Sequence, residues 1–79
     1  MEIKVVGPGC ANCKKLLAIT QEAVKELSVQ ANVIYVTDLQ DIMKTGIMRT
    51  PGLIINGKVK VMGRVPNINA IKQLILDEQ

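Results

Sequence analysis

The only two cysteines of the chain, Cys10 and Cys13, stand two residues apart in the stretch GPGCANCKK. Two thiols at this spacing can close a short disulfide ring and so take up or release a pair of electrons. The same two thiolates are soft donors that suit an ion such as Cu(I). Spacing alone leaves both chemistries open, and the elements around the pair must decide between them.

The run EIKVV ahead of the pair is short and β-branched, and Gly7-Pro8-Gly9 punctuates its end, which predicts a strand followed by a loop. From Asn12 onward Leu16, Ile19, Ala23, Val24 and Leu27 recur at helical spacing, with Lys14, Lys15, Gln21, Glu22, Lys25 and Glu26 largely between them. The pattern predicts an amphipathic helix reaching about Ser28. Cys10 then sits at the helix mouth, where unpaired N–H groups and peptide dipoles favour a thiolate. A thiol so placed drops from a pKa of about 8.5 toward neutrality. Cys13, one turn further in, is expected to be less exposed. An open, acidic thiol backed by a buried one is the arrangement that disulfide exchange needs. Two cysteines packed merely as small hydrophobes would not call for the adjacent glycines.

The segment NVIYVT reads as a second strand buried on both faces. Asp38 offers an N-cap to a short helix with Leu39, Ile42 and Met43, and Gly46 ends it. GLIIN is a third strand, Asn56-Gly57 a type I′ hairpin signal, and KVKVMG the returning strand, with Val59 and Val61 alternating against Lys58 and Lys60. After Gly63, Asn67 caps a last helix whose Ile68, Ile71, Leu74 and Ile75 form one apolar face. Met43, Met48 and Met62 read as core filler. The order is β-α-β-α-β-β-α. A right-handed crossover makes the first two strands parallel, and the hairpin adds an antiparallel pair. The expectation is an α/β fold, a four-stranded mixed sheet with helices on both faces, forming a single domain over residues 1–79.

Composition narrows the function. At 79 residues the chain is near the size at which one hydrophobic core suffices. Tyr35 is the one aromatic residue, so no platforms for stacking bases exist. The net charge of +3 comes from cations dispersed along the sequence, Lys14-Lys15 being the longest run. They read as a solvated surface, and no nucleic-acid partner is expected. No apolar run approaches the ~18 residues of a membrane span, and no signal pattern opens the chain. Two cysteines do not make the several-bridge framework of a small secreted domain. A cytoplasmic protein away from membranes is expected.

Two resemblances bear on the cysteines. GPGCANC resembles the Gly-x-x-Cys-x-x-Cys loop of heavy-metal-associated domains, carriers of copper and similar ions. That family usually has Met where this chain has Pro8, and its order, β-α-β-β-α-β, ends on a strand. A tetrahedral ion would also lack ligands, since there is no His and no third Cys. Over residues 2–77, with Cys-x-x-Cys at a helix head and RTPGLIINGK opening the third strand, the chain resembles the thioredoxin/glutaredoxin family in its smallest form. That resemblance implies a cis Thr50–Pro51 bond in a bend facing the dithiol, with the Thr50 backbone pairing a bound substrate strand. It also implies a groove-side glycine at Gly63.

Departures from the family are visible too. Gly9 stands where thioredoxins have Trp, and Ala11-Asn12 replaces both the Gly-Pro of thioredoxins and the Pro-Tyr of glutaredoxins. The first strand offers only Glu2 and Lys4 where thioredoxins keep a buried acid beneath the dithiol. Lys14, Lys15 and Arg49 supply part of the basic set with which glutaredoxins hold glutathione, without an assembled glutathione site.

The function expected is that of a thiol–disulfide oxidoreductase or electron carrier. Cys10 attacks a target protein's disulfide, Cys13 resolves the mixed disulfide, and a separate reductase regenerates the dithiol. No organic cofactor is expected, because the electrons reside on sulfur, and no resident metal, because two thiolates leave a tetrahedral ion half-coordinated; the chain is expected to be a monomer. Two alternatives are a soft-metal carrier using the same thiolates, and a binding module adding a partner strand at Thr50–Pro51.

Overall fold

Local signals account for most of the element boundaries. The computed structural model describes residues 1–79. Its elements are β1 (Glu2–Val6), α1 (Ala11–Leu27), β2 (Asn32–Val36), α2 (Leu39–Lys44), β3 (Gly52–Ile55), β4 (Lys58–Met62) and α3 (Ile68–Leu76). Each helix begins at a side-chain cap that satisfies backbone N–H groups its own first turn leaves unpaired. Asp38 Oδ1 accepts from Gln40 N at 2.9 Å, and Asn67 Oδ1 accepts from Ala70 N at 2.9 Å. The third cap is Cys10, described below. Asn56 and Gly57 take φ values of 50° and 80°, the left-handed pair that a type I′ hairpin requires.

The strands form one mixed sheet in the order β2-β1-β3-β4. β1 and β2 are parallel, while β3 is antiparallel to both β1 and β4. The α/β architecture expected from the sequence is the one observed. The main core joins Ile3 and Val5 of β1 and Leu53 and Ile55 of β3 to Leu16 and Ala23 of α1 and Ile71 and Ile75 of α3. Alternation along the strands sends Val6 and Ile54 to the opposite face, where Ile42 of α2 and Ile47 cover them. The first group anchors both long helices, and with them the start of α1, against the sheet.

Three expectations fail, each for a long-range reason. β2 is not buried on both faces: it is the sheet edge, and six-residue α2 is too short to cover Ile34, which is 40% exposed. Met43, Met48 and Met62 are not core filler but exposed: α2 turns only Ile42 inward, Met48 lies in the loop that follows it, and Met62 ends the edge strand β4. Val59 does not share the buried side of Val61: a register shift pairs Leu53 with Val61 and Ile54 with Val59, leaving Lys60 without a partner. This bulge breaks the alternation of β4 and exposes Val59.

Candidate active site

β1 ends beside β2, with Gly7 N donating to Val36 O at 2.9 Å, and the chain then turns through Pro8 and Gly9. Gly9 has φ +98°, a conformation suited to glycine. The turn delivers Cys10 as the N-cap of α1. Its backbone is extended, its carbonyl accepts from Lys14 N at 3.0 Å, and its Sγ accepts from Cys13 N at 3.2 Å. The sulfur thus occupies the capping position that oxygen side chains usually fill. Cys10 is exposed, whereas Cys13 is fully buried. The two are joined as a disulfide with Cα atoms 5.0 Å apart.

The Thr50–Pro51 bond is cis, as the resemblance implied. Thr50 is exposed and Pro51 buried. A β-carbon placed on Gly7 would collide with the sulfur of Cys13 and would sit 3.7 Å from Thr50 Cβ. Cys13 and Thr50 therefore meet over the bare backbone of Gly7. Gly63 N donates to Pro51 O at 2.8 Å, which ties the end of β4 to the same bend. Gly63 has φ +77°, and the aliphatic stem of Arg49 lies across it, 3.0 Å from where a β-carbon would stand.

All five residues singled out in the sequence (Cys10, Cys13, Thr50, Pro51 and Gly63) thus lie at one end of the sheet. Gly7 was missed. A glycine at a strand end reads as punctuation, and nothing local reveals that its missing side chain makes room for a sulfur.

Other groups fall elsewhere. Glu2 and Lys4 pair with each other at 3.6 Å toward the other end of β1, so no strand-one carboxylate lies beneath the dithiol. Lys14, Lys15 and Arg49 are exposed at the dithiol end, with no carboxylate within ion-pair distance. No third Cys, His, Asp or Glu joins the cysteines in a cluster able to hold a metal, so the donor set stops at two sulfurs.

An apolar hollow of about 470 Å³, lined by Pro8, Leu39, Met43, Ile47, Met48 and Thr50, opens beside the bend. A hollow of about 540 Å³ between Lys4, Ile34, Asp38, Asp41 and Lys44 touches neither cysteine nor Thr50, so it is not where the dithiol would meet a substrate. No helix is long and apolar enough to cross a membrane.

Comparison with known proteins agrees with this geometry. Residues 1–76 match a family described as "Thioredoxin domain". The chain is 39% identical over 75 residues to a thioredoxin of Methanothermobacter thermautotrophicus, covering 95% of this chain and 97% of that one. It is 30% identical over 71 residues to a thioredoxin of Methanocaldococcus jannaschii, covering 90% and 81% respectively.

Proposed function

This chain belongs to the thioredoxin domain family, and on that premise we propose that it carries electron pairs from a reductase to the disulfides of target proteins. It is a thiol–disulfide oxidoreductase whose redox group is the Cys10–Cys13 pair. The observation that carries the assignment of roles is the contrast within that pair: an exposed cysteine whose sulfur caps a helix, and a buried cysteine behind it.

In the reduced protein, the N–H of Cys13 and the positive end of α1 favour a thiolate at Cys10. That thiolate attacks one sulfur of the target disulfide. The other target sulfur leaves as a thiolate and takes up a proton, and a mixed disulfide remains on Cys10. Cys13 then loses its proton and attacks Cys10 Sγ. The second target sulfur departs, and the internal disulfide forms. Two electrons and two protons have passed to the target, and no organic cofactor enters the balance.

Thr50, exposed beside Cys13 and ahead of Pro51, is the edge along which a target strand would lie, with its backbone supplying hydrogen bonds. Gly63 keeps the neighbouring wall low, although the Arg49 stem rather than open space lies over it. We read the protein as a one-domain monomer, and its use of cysteine for a single exchangeable pair supports a cytoplasmic setting.

The test is a trapping experiment on the reduced protein. Limiting alkylating reagent near neutral pH should label Cys10 at least about tenfold faster than Cys13, given their difference in exposure and thiolate character. Cys13→Ser should accumulate mixed disulfides with targets, and Cys10→Ser should accumulate few. Preferential labelling of Cys13 would reverse the roles. A pair that resisted oxidation yet bound one Cu(I) tightly would overturn the redox reading.

A further inference from the structure

Cations that look dispersed in the sequence are segregated in space. Of the ten basic residues, Lys4, Lys58, Lys60 and Lys72 pair with carboxylates; of the six that do not, Lys25 lies in the last turn of α1, Lys44 in that of α2, and the other four flank the redox pair. Those pairs lie away from the dithiol: Glu2 opens β1, Glu78 follows α3 and grips β4, and Glu26 lies in the last turn of α1. The remaining two carboxylates of that end, Glu22 and Asp77, lie in the second half of α1 and at the C-cap of α3.

Around the redox pair the balance is reversed. Lys14 and Lys15 lie in the first turns of α1, Arg49 immediately precedes Thr50, and Arg64 follows Gly63. All four are exposed and none has a carboxylate partner. The only acids on this side, Asp38 and Asp41, border the separate hollow with Lys4 and Lys44, and Asp38 is held as the cap of α2. The helix start places the Lys14 backbone against that of Cys10, with Lys14 N donating to Cys10 O, and the Arg49 stem packs on Gly63.

We propose that this rim selects targets whose exchangeable disulfide is flanked by acidic residues. The inference rests on the redox reading given above and adds a substrate class to it. Unpaired cations at the rim of a contact act mainly on encounter and on the choice of partner, and added salt weakens them. A protein segment is the occupant rather than a nucleic acid, because the rim surrounds a disulfide-exchanging sulfur and holds no aromatic platform.

The experiment uses pre-reduced full-length protein in single-turnover reactions with three disulfide peptides, identical except for flanking Asp, Gln or Lys. Electrons come from the Cys10–Cys13 dithiol, which ends as the internal disulfide while each peptide ends as two thiols. At low ionic strength the second-order rate should fall in the order Asp, Gln, Lys, with about tenfold or more between the extremes, and high salt should collapse the spread. Arg49→Gln or Arg64→Gln should narrow the spread. Lys58→Gln, which removes the same charge at the hairpin end, should narrow it less.

Equal rates for the three peptides would overturn the inference while leaving the redox reading intact. So would equal effects of Arg49→Gln and Lys58→Gln, or glutathione disulfide outpacing the Asp peptide. Failure to reduce even the Gln peptide would instead overturn the redox reading itself.

Discussion

The sulfur of Cys13 fills the space that a β-carbon on Gly7 would claim. The buried thiol is therefore held by an absence at the end of β1, with Thr50 closing the other side. Gly7→Ala would force Cys13 and α1 to shift, because the clash also reaches Cys13 Cβ at 2.9 Å. Overpacking of this kind costs about 1–3 kcal/mol. Urea denaturation of the variant should show that loss. Its mixed disulfides should also persist longer, since Cys13 would be displaced from Cys10. Wild-type stability in Gly7→Ala would contradict the close packing.

Thr20 offers a change in the opposite direction. It lies on the buried stripe of α1, fully inaccessible, and its hydroxyl has no hydrogen-bond partner. Thr20→Val keeps the shape and removes the stranded polar group, so it should raise stability by about 1 kcal/mol. The midpoint of chemical denaturation reads this directly, and a fall of similar size would mean that the hydroxyl is satisfied in solution.

Acid should loosen the closure between the chain's C-terminal end and β4. Glu78 bonds Lys60 at 2.8 Å and Lys58 at 3.2 Å, and these contacts hold its carboxyl below the ordinary carboxylate range. Lys72 does the same for Glu26. A carboxyl depressed by folding contributes stability that is fully present above its unfolded value, about 4.3. That contribution is lost as pH falls through the lower, folded value. Denaturation between pH 7 and pH 3 should therefore show stability falling in acid, and Glu78→Gln should make the decline shallower while lowering stability at pH 7. An unchanged acid slope in that variant would remove Glu78 from the account.

What could be read in advance was local. Apolar spacing marked α1 and α3, Asp38 and Asn67 announced their own capping roles, and Asn56-Gly57 specified its turn, because each signal acts over a few residues. The redox pair was legible for the same reason, its chemistry being fixed by two thiols at a helix mouth. The edge position of β2, the bulge at Lys60 and the exposure of Met43 depend on which strands pair and on how little α2 covers. None of these is carried by the residues concerned. The resemblance grouped Lys14, Lys15 and Arg49, but the full rim with Arg64 follows only from the antiparallel β1–β3 and β3–β4 pairings, which gather these residues at one end of the sheet.

The cap of α1 is itself the reacting atom. In most helices the capping group is chemically inert, so the helix start is indifferent to what the protein is doing. Here the acceptor for Cys13 N is the Sγ of Cys10, whose charge changes during turnover. A thiolate accepts a hydrogen bond more strongly than a disulfide sulfur does. The first turn of α1 is therefore tightest in the dithiol form and slackens once Cys10 is covalently engaged. Helix and redox couple form one thermodynamic cycle: whatever steadies the start of α1 in the thiolate state also shifts the electron equilibrium toward reduction.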